Sequence, residues 1–239
     1  MEFKEFDPIG EETLVTISKA DKFNKWVYDV INPYCEGRIL EIGSGIGNIT
    51  NYFVKHNYDI TASDLRASYL EILNLNFPTI KKVSIDIVKV DFEQNYSLYL
   101  NSFDTIYALN VVEHIEMDKL AIENMLSLLK KNGKLIILVP AFQALYNNFD
   151  EELMHYRRYN RRSLEKIMNN PNTSIIKSFY FNGVGILGWF FFGKILKRTS
   201  ISNSSMQAYN FLVPIFRIID YFFNSFFGLS VICIIKKEN

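Results

Sequence analysis

Apolar residues recur along this 239-residue chain with two alternating periods. Between residues 13 and 31, Leu14, Ile17, Phe23, Val27 and Ile31 stand close to helical spacing, and the run stops before Asn32-Pro33, so one or two helices are expected. Short aliphatic and β-branched runs then alternate with helical patterns. Strands are predicted at 38–42, 58–63, 85–90, 103–109 and 134–139, with helices at 49–55, 67–75 and 117–130 between them. The last of these helices ends on Lys130-Lys131-Asn132-Gly133, basic residues and a glycine where a helix C-terminus favours them. Five strands alternating with helices predict an α/β fold, a doubly wound and mostly parallel sheet. A helix at 163–168 and two further β-rich runs, 174–181 and 229–235, complete the pattern.

The stretch Ile39-Leu40-Glu41-Ile42-Gly43-Ser44-Gly45-Ile46-Gly47-Asn48 reads as a buried strand feeding a tight loop. Glycines there permit positive φ and let a ligand approach the main chain without a Cβ in the way. A dinucleotide fingerprint places its third glycine three residues after the second, where this chain has Asn48. Glu41 adds negative charge beside the loop, which suits a ligand carrying a sulfonium and an ammonium better than one carrying phosphates. Asp64 ends the second strand, about twenty residues on, where an acid can accept from ribose hydroxyls while the neighbouring Leu65 lies against an adenine ring. Its structural alternative is an N-cap for the next helix. In doubly wound sheets ligands bind at the carboxyl ends of the strands, and Gly43, Gly45, Gly47, Asp64, Asp91 and Asn110 all fall there on this reading.

On these residues the chain resembles the class I S-adenosylmethionine-dependent methyltransferases, whose first motif has the acid-x-Gly-x-Gly-x-Gly form of residues 41–47. The resemblance implies a Rossmann-like seven-stranded sheet with strands six and seven antiparallel, and S-adenosyl-L-methionine as cofactor, leaving S-adenosyl-L-homocysteine. It implies that Asp91 receives the adenine amino group, that the Phe92 backbone N–H meets a ring nitrogen, and that Asn110 passes the methionine part. The run Asn110-Val111-Val112-Glu113-His114-Ile115 is similar to small-molecule methyltransferases such as those of quinone biosynthesis. Some of those hold a divalent metal through acids around the Glu-His pair; Asn110 stands here where a further acid would help, so no metal is expected. Asp150 followed by His155-Tyr156-Arg157-Arg158-Tyr159 resembles a bacterial subgroup with Asp, several residues and His-x-Arg-Arg-Tyr. Tyr146, Arg157, Arg158 and Tyr159 are therefore the substrate-binding candidates, with a loop pinned by Asp150 to Arg157 or Arg158 as the structural alternative. Methyl transfer needs no protein nucleophile, but an oxygen acceptor gains from a base, and His114 and His155 are the catalytic candidates. The expected function is methyl transfer to a small, partly apolar acceptor. A cofactor-binding pseudoenzyme, or a nucleotide-cofactor oxidoreductase opposed by Asn48 and Glu41, is the alternative.

Acidic and basic residues number 26 each, so formal charge is zero and no electrostatic footprint for nucleic acid is present. Cys35 and Cys233 form neither a disulfide framework nor a metal-ligand pattern. With an N-terminus that lacks a basic start and apolar run, a cytoplasmic protein is expected. One methyltransferase domain over 1–239 is expected: N-terminal helices at 1–37, a cofactor-binding core at 38–181, an apolar helical insertion at 182–228 and the last strand at 229–235. Within the insertion, 183–193 is strongly apolar, Lys194, Lys197 and Arg198 share a helical face, and 211–227 forms a helix with Arg217, Asp220 and Asn224 on a narrow polar stripe. No run reaches the ~18 uninterrupted apolar residues of a transmembrane helix. The insertion can roof the acceptor, lie on a membrane surface, or pack on the core or across a dimer, and the oligomeric state stays open.

Overall fold

Residues 7–224 and 226–238 are described by the computed structural model, so the stretch 1–6, on which the reading of the N-terminus rests, lies outside the described residues. Helices α1 (Pro8–Ser18) and α2 (Asp21–Ile31) precede the sheet. Strand β1 (Arg38–Ile42) is followed by α3 (Thr50–Lys55), β2 (Asp59–Ser63), α4 (Ala67–Asn76), β3 (Lys81–Val83) and α5 (Phe92–Asn95). Next come β4 (Phe103–Leu109), α6 (Asp118–Leu128), β5 (Leu129–Pro140), α7 (Asn148–Glu152), α8 (Arg161–Met168) and β6 (Thr173–Phe181). The insertion holds α9 (Gly185–Trp189), prolonged by a π-helical turn at Phe190–Ile195, and α10 (Asn203–Phe223) before β7 (Ser230–Lys237). The seven strands lie in the order β3-β2-β1-β4-β5-β7-β6, with β7 antiparallel to both neighbours and the other pairs parallel.

Successive side chains of the central strands enter opposite layers. Leu40 and Ile42 of β1 pack with Ile122 and Met125 of α6 and Leu164 of α8, whereas Ile39 packs with Trp26 and Ile31 of α2 and Phe53 of α3. A sheet covered on both faces explains the continuous apolar runs, since neither face has to meet water. Each fully buried Ile or Leu contributes about 1.5–3 kcal/mol relative to exposure.

Two predicted boundaries move. The third strand falls at Lys81–Val83, paired to β2 from Thr61↔Lys81 to Ser63↔Val83, and not at 85–90. Ile85 and Ile87 are buried with a strand-like alternation, but their segment turns on itself: Asp86 Oδ1 accepts from the Val88 N–H (3.0 Å), and the Asp86 N–H donates to Tyr96 Oη (2.8 Å). The helix expected to reach Lys130 ends at Leu128, because Leu129 already pairs with Phe103. A bulge with Asn132 at φ 66° follows, and Lys130 Nζ bonds both Asp104 carboxylate oxygens (2.9 and 2.8 Å).

Polar contacts that the sequence pattern does not show hold the insertion together and join it to α2. Asp220, read above as part of a narrow polar stripe, is buried and accepts from the Gly183 N–H at 2.6 Å. Asn210 Oδ1 accepts from the Phe23 N–H (3.0 Å), joining α10 to α2. Among the described residues no helix is long and apolar enough to cross a membrane. Replacing Asp220 by alanine strands the buried Gly183 amide, so urea denaturation should show a loss of about 1–3 kcal/mol, partly restored in Asp220→Asn.

Candidate active site

The carboxyl ends of β1, β2 and β4 open into a cavity of about 1050 Å³ whose wall also includes α1, the loops after β3 and β5, and the insertion. Gly43, Gly45 and Gly47 all have positive φ (70°, 53° and 88°). Only the first two line the cavity; a Cβ on Gly47 would lie 2.3 Å from the Phe77 ring, so that glycine serves helix packing. The loop is held by β2: the Ser44 N–H donates to the Ser63 carbonyl, and the Gly45 N–H donates to Asp64 Oδ2, each at 2.9 Å. Asp64 Oδ1 also accepts from the Arg66 N–H (3.0 Å), so this carboxylate caps the following turn and shapes the glycine loop while facing the cavity with Leu65.

Glu41 is buried at the end of β1, lines the cavity and accepts from the Thr50 hydroxyl. Burial pushes its carboxyl up to about 7, against the opposing hydrogen bond. Burial also raises Asp64, in spite of the two amides it accepts from. Two carboxyls destabilised in one cavity create a place where a cationic group is favoured. Asn110, at φ 54°, turns the chain after β4 and presents itself to the same space.

Asp91 and Phe92 do not line this cavity. Asp91 is exposed in front of α5, and Phe92 is buried against Tyr96 (ring centroids 4.8 Å). The short β3 ends eight residues earlier than Asp91, and the acid that reaches the cavity is Asp86, flanked by the lining residues Ile85, Ile87 and Val88. The acid-apolar pair Asp86-Ile87 was available as a signal; the strand-like spacing around it concealed it.

Beyond β4 and β5, His114 and His155 both line the cavity with their rings 4.7 Å apart and nearly perpendicular. Asp150, fully buried, accepts from His155 Nδ1 (2.8 Å), Arg158 Nε (2.8 Å) and the Asn147 N–H (3.0 Å). Burial alone would raise Asp150, but the His155 and Arg158 contacts hold it below the usual carboxylate range. An ionised carboxylate only accepts, so the shared proton sits on Nδ1 and Nε2 is the ring nitrogen left without this partner. Burial pushes His114 down to about 3, so it is neutral at pH 7. Glu113, absent from the candidates above, is fully buried, and neither of its carboxyl oxygens has a partner from another residue among those described. Burial pushes it up to about 8. One donor atom each from Glu113, His114 and His155 lies within 4.8 Å of the others, a set able to hold a cation, and the distance of His155 along the chain hid it from the sequence.

Of the substrate-binding candidates, only Arg158 lines the cavity, and it is committed to Asp150, to the Ala141 carbonyl (3.0 Å) and to the Trp189 ring (4.7 Å). Arg157 and the Tyr159 hydroxyl both donate to Asp118 Oδ2 (2.8 Å each), and the Tyr146 hydroxyl donates to the His155 carbonyl (2.8 Å). These three hold the loop from behind. The roof comes from Trp189, Phe192, Met206 and Tyr209 of the insertion, and from Tyr156.

The methyltransferase domain family matches residues 40–137, from β1 to the end of the parallel sheet. Over that span the chain is similar to a methyltransferase domain, and its seven-stranded sheet has the order of the Rossmann-like methyltransferase fold. Demethylmenaquinone methyltransferase of Renibacterium salmoninarum is 21% identical over 164 residues, covering 67% of this chain and 64% of that protein. Ubiquinone biosynthesis O-methyltransferase of Histophilus somni is 25% identical over 115 residues, covering 46% of this chain and 48% of that protein. The chain thus spans less than two thirds of the length of either relative. A solved S-adenosylmethionine-dependent methyltransferase of Thermotoga maritima superposes with a TM-score of 0.60 at 14% identity, covering 97% of this chain and 98% of that one. The matched span of the methyltransferase domain stops before Asp150, His155, Arg158 and the insertion, so the part of the cavity wall that these supply is built by sequence outside it.

The state of Glu113 is open to measurement. Unfolded, a glutamic acid ionises near its ordinary value of 4.5, but folded Glu113 stays neutral to about 8. The fold therefore loses stability as pH rises between those values, because the unfolded chain releases the proton first. Glu113→Gln lacks this penalty. Its stability in urea denaturation, relative to the parent, should rise steadily from pH 5 to pH 8, whereas a difference independent of pH would show an ionised Glu113 in the fold.

Proposed function

We propose that the protein transfers the methyl group of S-adenosylmethionine to a small, partly apolar acceptor. The observation that carries this reading is the convergence of the Gly43–Gly45 main chain, Glu41, Asp64, Asp86 and Asn110 on one cavity with destabilised carboxyls and an apolar roof. The cofactor, when bound, supplies an activated methyl on a sulfonium. Asp64 retains acceptor capacity for ribose hydroxyls after taking two amides, and Asp86 has one carboxylate oxygen beyond its Val88 contact for an adenine amino group. The glycine loop lets the ligand lie against backbone, and Glu41 favours its ammonium end. The apolar roof excludes water from the sulfonium, which strengthens the charge interactions around it.

An in-line displacement gains most when the acceptor atom is held about 3 Å from the methyl carbon. His155 supports the removal of the acceptor proton: Asp150 fixes its tautomer and leaves Nε2 to accept. Glu113 and neutral His114 stand beside it as hydrogen-bonding groups for a polar acceptor head. The relatives named for quinone biosynthesis support an acceptor with a polar ring and an apolar remainder.

Calorimetry should show binding of S-adenosylhomocysteine and none of NAD; the reverse would sink the assignment. Asp64→Ala should weaken S-adenosylhomocysteine by about ten- to a hundredfold, or about 1.5–3 kcal/mol, since it removes a charge-assisted acceptor and the anchor of Gly45 together. Unchanged affinity would leave that acid only its capping role. Met206→Ala should lower methyl transfer while cofactor affinity holds.

Glu41 makes a separate expectation. With its carboxyl near 7 in the free protein, an ammonium ligand favours the ionised form, so affinity for S-adenosylhomocysteine should increase from pH 6 to pH 8 with proton release on binding. Titrations in buffers of different ionisation enthalpy count that proton. Glu41→Gln should flatten the pH dependence.

A further inference from the structure

The insertion has two faces with different occupants. On α10, Met206, Val213 and Asp220 fall seven residues apart and are buried, and Met206 lines the cavity roof. The opposite stripe, Phe211, Ile215, Ile218 and Phe222, follows helical spacing and faces solvent. On this stripe Phe211 and Phe222 are 73% and 67% exposed, and Ile218 and Phe222 lie with Pro214 and Tyr221 on one surface. Single exposed apolar residues need no explanation, but a contiguous patch of this composition marks a contact surface.

We propose that this face docks on the surface of an anionic lipid bilayer. Charge decides between a bilayer and a second copy of the chain. Between residues 182 and 228 the bases are Lys194, Lys197, Arg198 and Arg217, while the sole acid, Asp220, is buried and turned inward to the Gly183 amide. Lys22 and Lys25 of α2 border the same surface beside Pro214, Ile218 and Phe222. In a chain of zero formal charge, the exposed charges of the insertion are therefore all basic. Of the acids of α2, Asp21 lines this surface and accepts from the Tyr52 hydroxyl (2.6 Å), and Asp29 is taken by Lys25 (2.7 Å) and Arg217 (2.8 Å). Two copies meeting through this face would bring like charges together. Anionic headgroups supply the missing countercharge while the aromatic side chains enter the headgroup and acyl boundary, the arrangement of interfacial helices. The inner side of the same segment lines the cavity, so an acceptor could pass from the bilayer to the roofed site; that last step rests on the methyl-transfer reading, but the docking does not.

Flotation of the full chain with phosphatidylcholine vesicles, with and without phosphatidylglycerol, tests the docking. The protein should float with the anionic vesicles, several-fold less with neutral ones, and less again at high salt. Ile218→Ser/Phe222→Ser should lower partitioning by about tenfold or more, since two exposed apolar side chains are lost from the contact, and Lys22→Glu/Lys197→Glu should remove the preference for anionic lipid. Circular dichroism and S-adenosylhomocysteine binding serve as controls for the fold. A folded protein that stays with no vesicle overturns the proposal, as does Ile218→Ser/Phe222→Ser floating like the parent. So does a dimer in analytical ultracentrifugation that this double variant converts to monomer, which would assign the face to a second copy. Flotation without S-adenosylhomocysteine binding would support the docking and count against the cofactor reading instead.

Discussion

A carboxyl group taken out of water must find donors or give up its charge, and the strand-end face of this protein is arranged around that constraint. Asp150 is satisfied threefold, by His155, Arg158 and an amide, and the loop after β5 is built on it. Asp220 takes one amide and moors the insertion. Asp64 takes two amides and still faces the cavity, while Glu41 has a threonine hydroxyl and Glu113 has no partner from another residue among those described. Asp150 and Asp220 hold structure, whereas Asp64, Glu41 and Glu113, each raised by burial, line the cavity.

The same constraint explains why the arginine-rich loop is less a binding surface than its composition suggests. Arg158 neutralises a buried acid and lies over Trp189, so its guanidinium links the loop to the roof. Arg157 and Tyr159 converge on Asp118 at the start of α6. What the loop offers the cavity is His155, oriented from behind by Asp150, with Arg158 and Tyr156 beside it. Asp150, which does not line the cavity, thus sets which imidazole nitrogen faces it.

The insertion adds a second division of labour. Its inner residues line the cavity, and its outer side exposes apolar side chains and bases. A connection with only the first task would be polar outside, as the solvent face of an ordinary helix is. Both faces come from a period close to 3.6, and only packing against the sheet shows which is inner.

By itself the sequence determined the elements and the class of the fold, because strand and helix periods, the glycine loop and the pair of late β-rich runs are local signals that tertiary packing reinforces. It also marked Glu41, Gly43, Gly45, Asp64 and Asn110, which the structure gathers at one cavity. Tertiary structure decided the rest. Ile85 and Ile87 alternate as a strand does, yet they are buried by packing while their backbone bonds close a turn, so Asp86 and not Asp91 reaches the cavity. Gly47 has the motif's spacing but faces Phe77. His155 joins Glu113 and His114 only because Asp150 and the Tyr156 amide, which donates to the Glu113 carbonyl at 2.8 Å, fold one loop against another. Spacing along a chain fixes which face of its own element a residue occupies; what that face meets is set by elements remote in sequence.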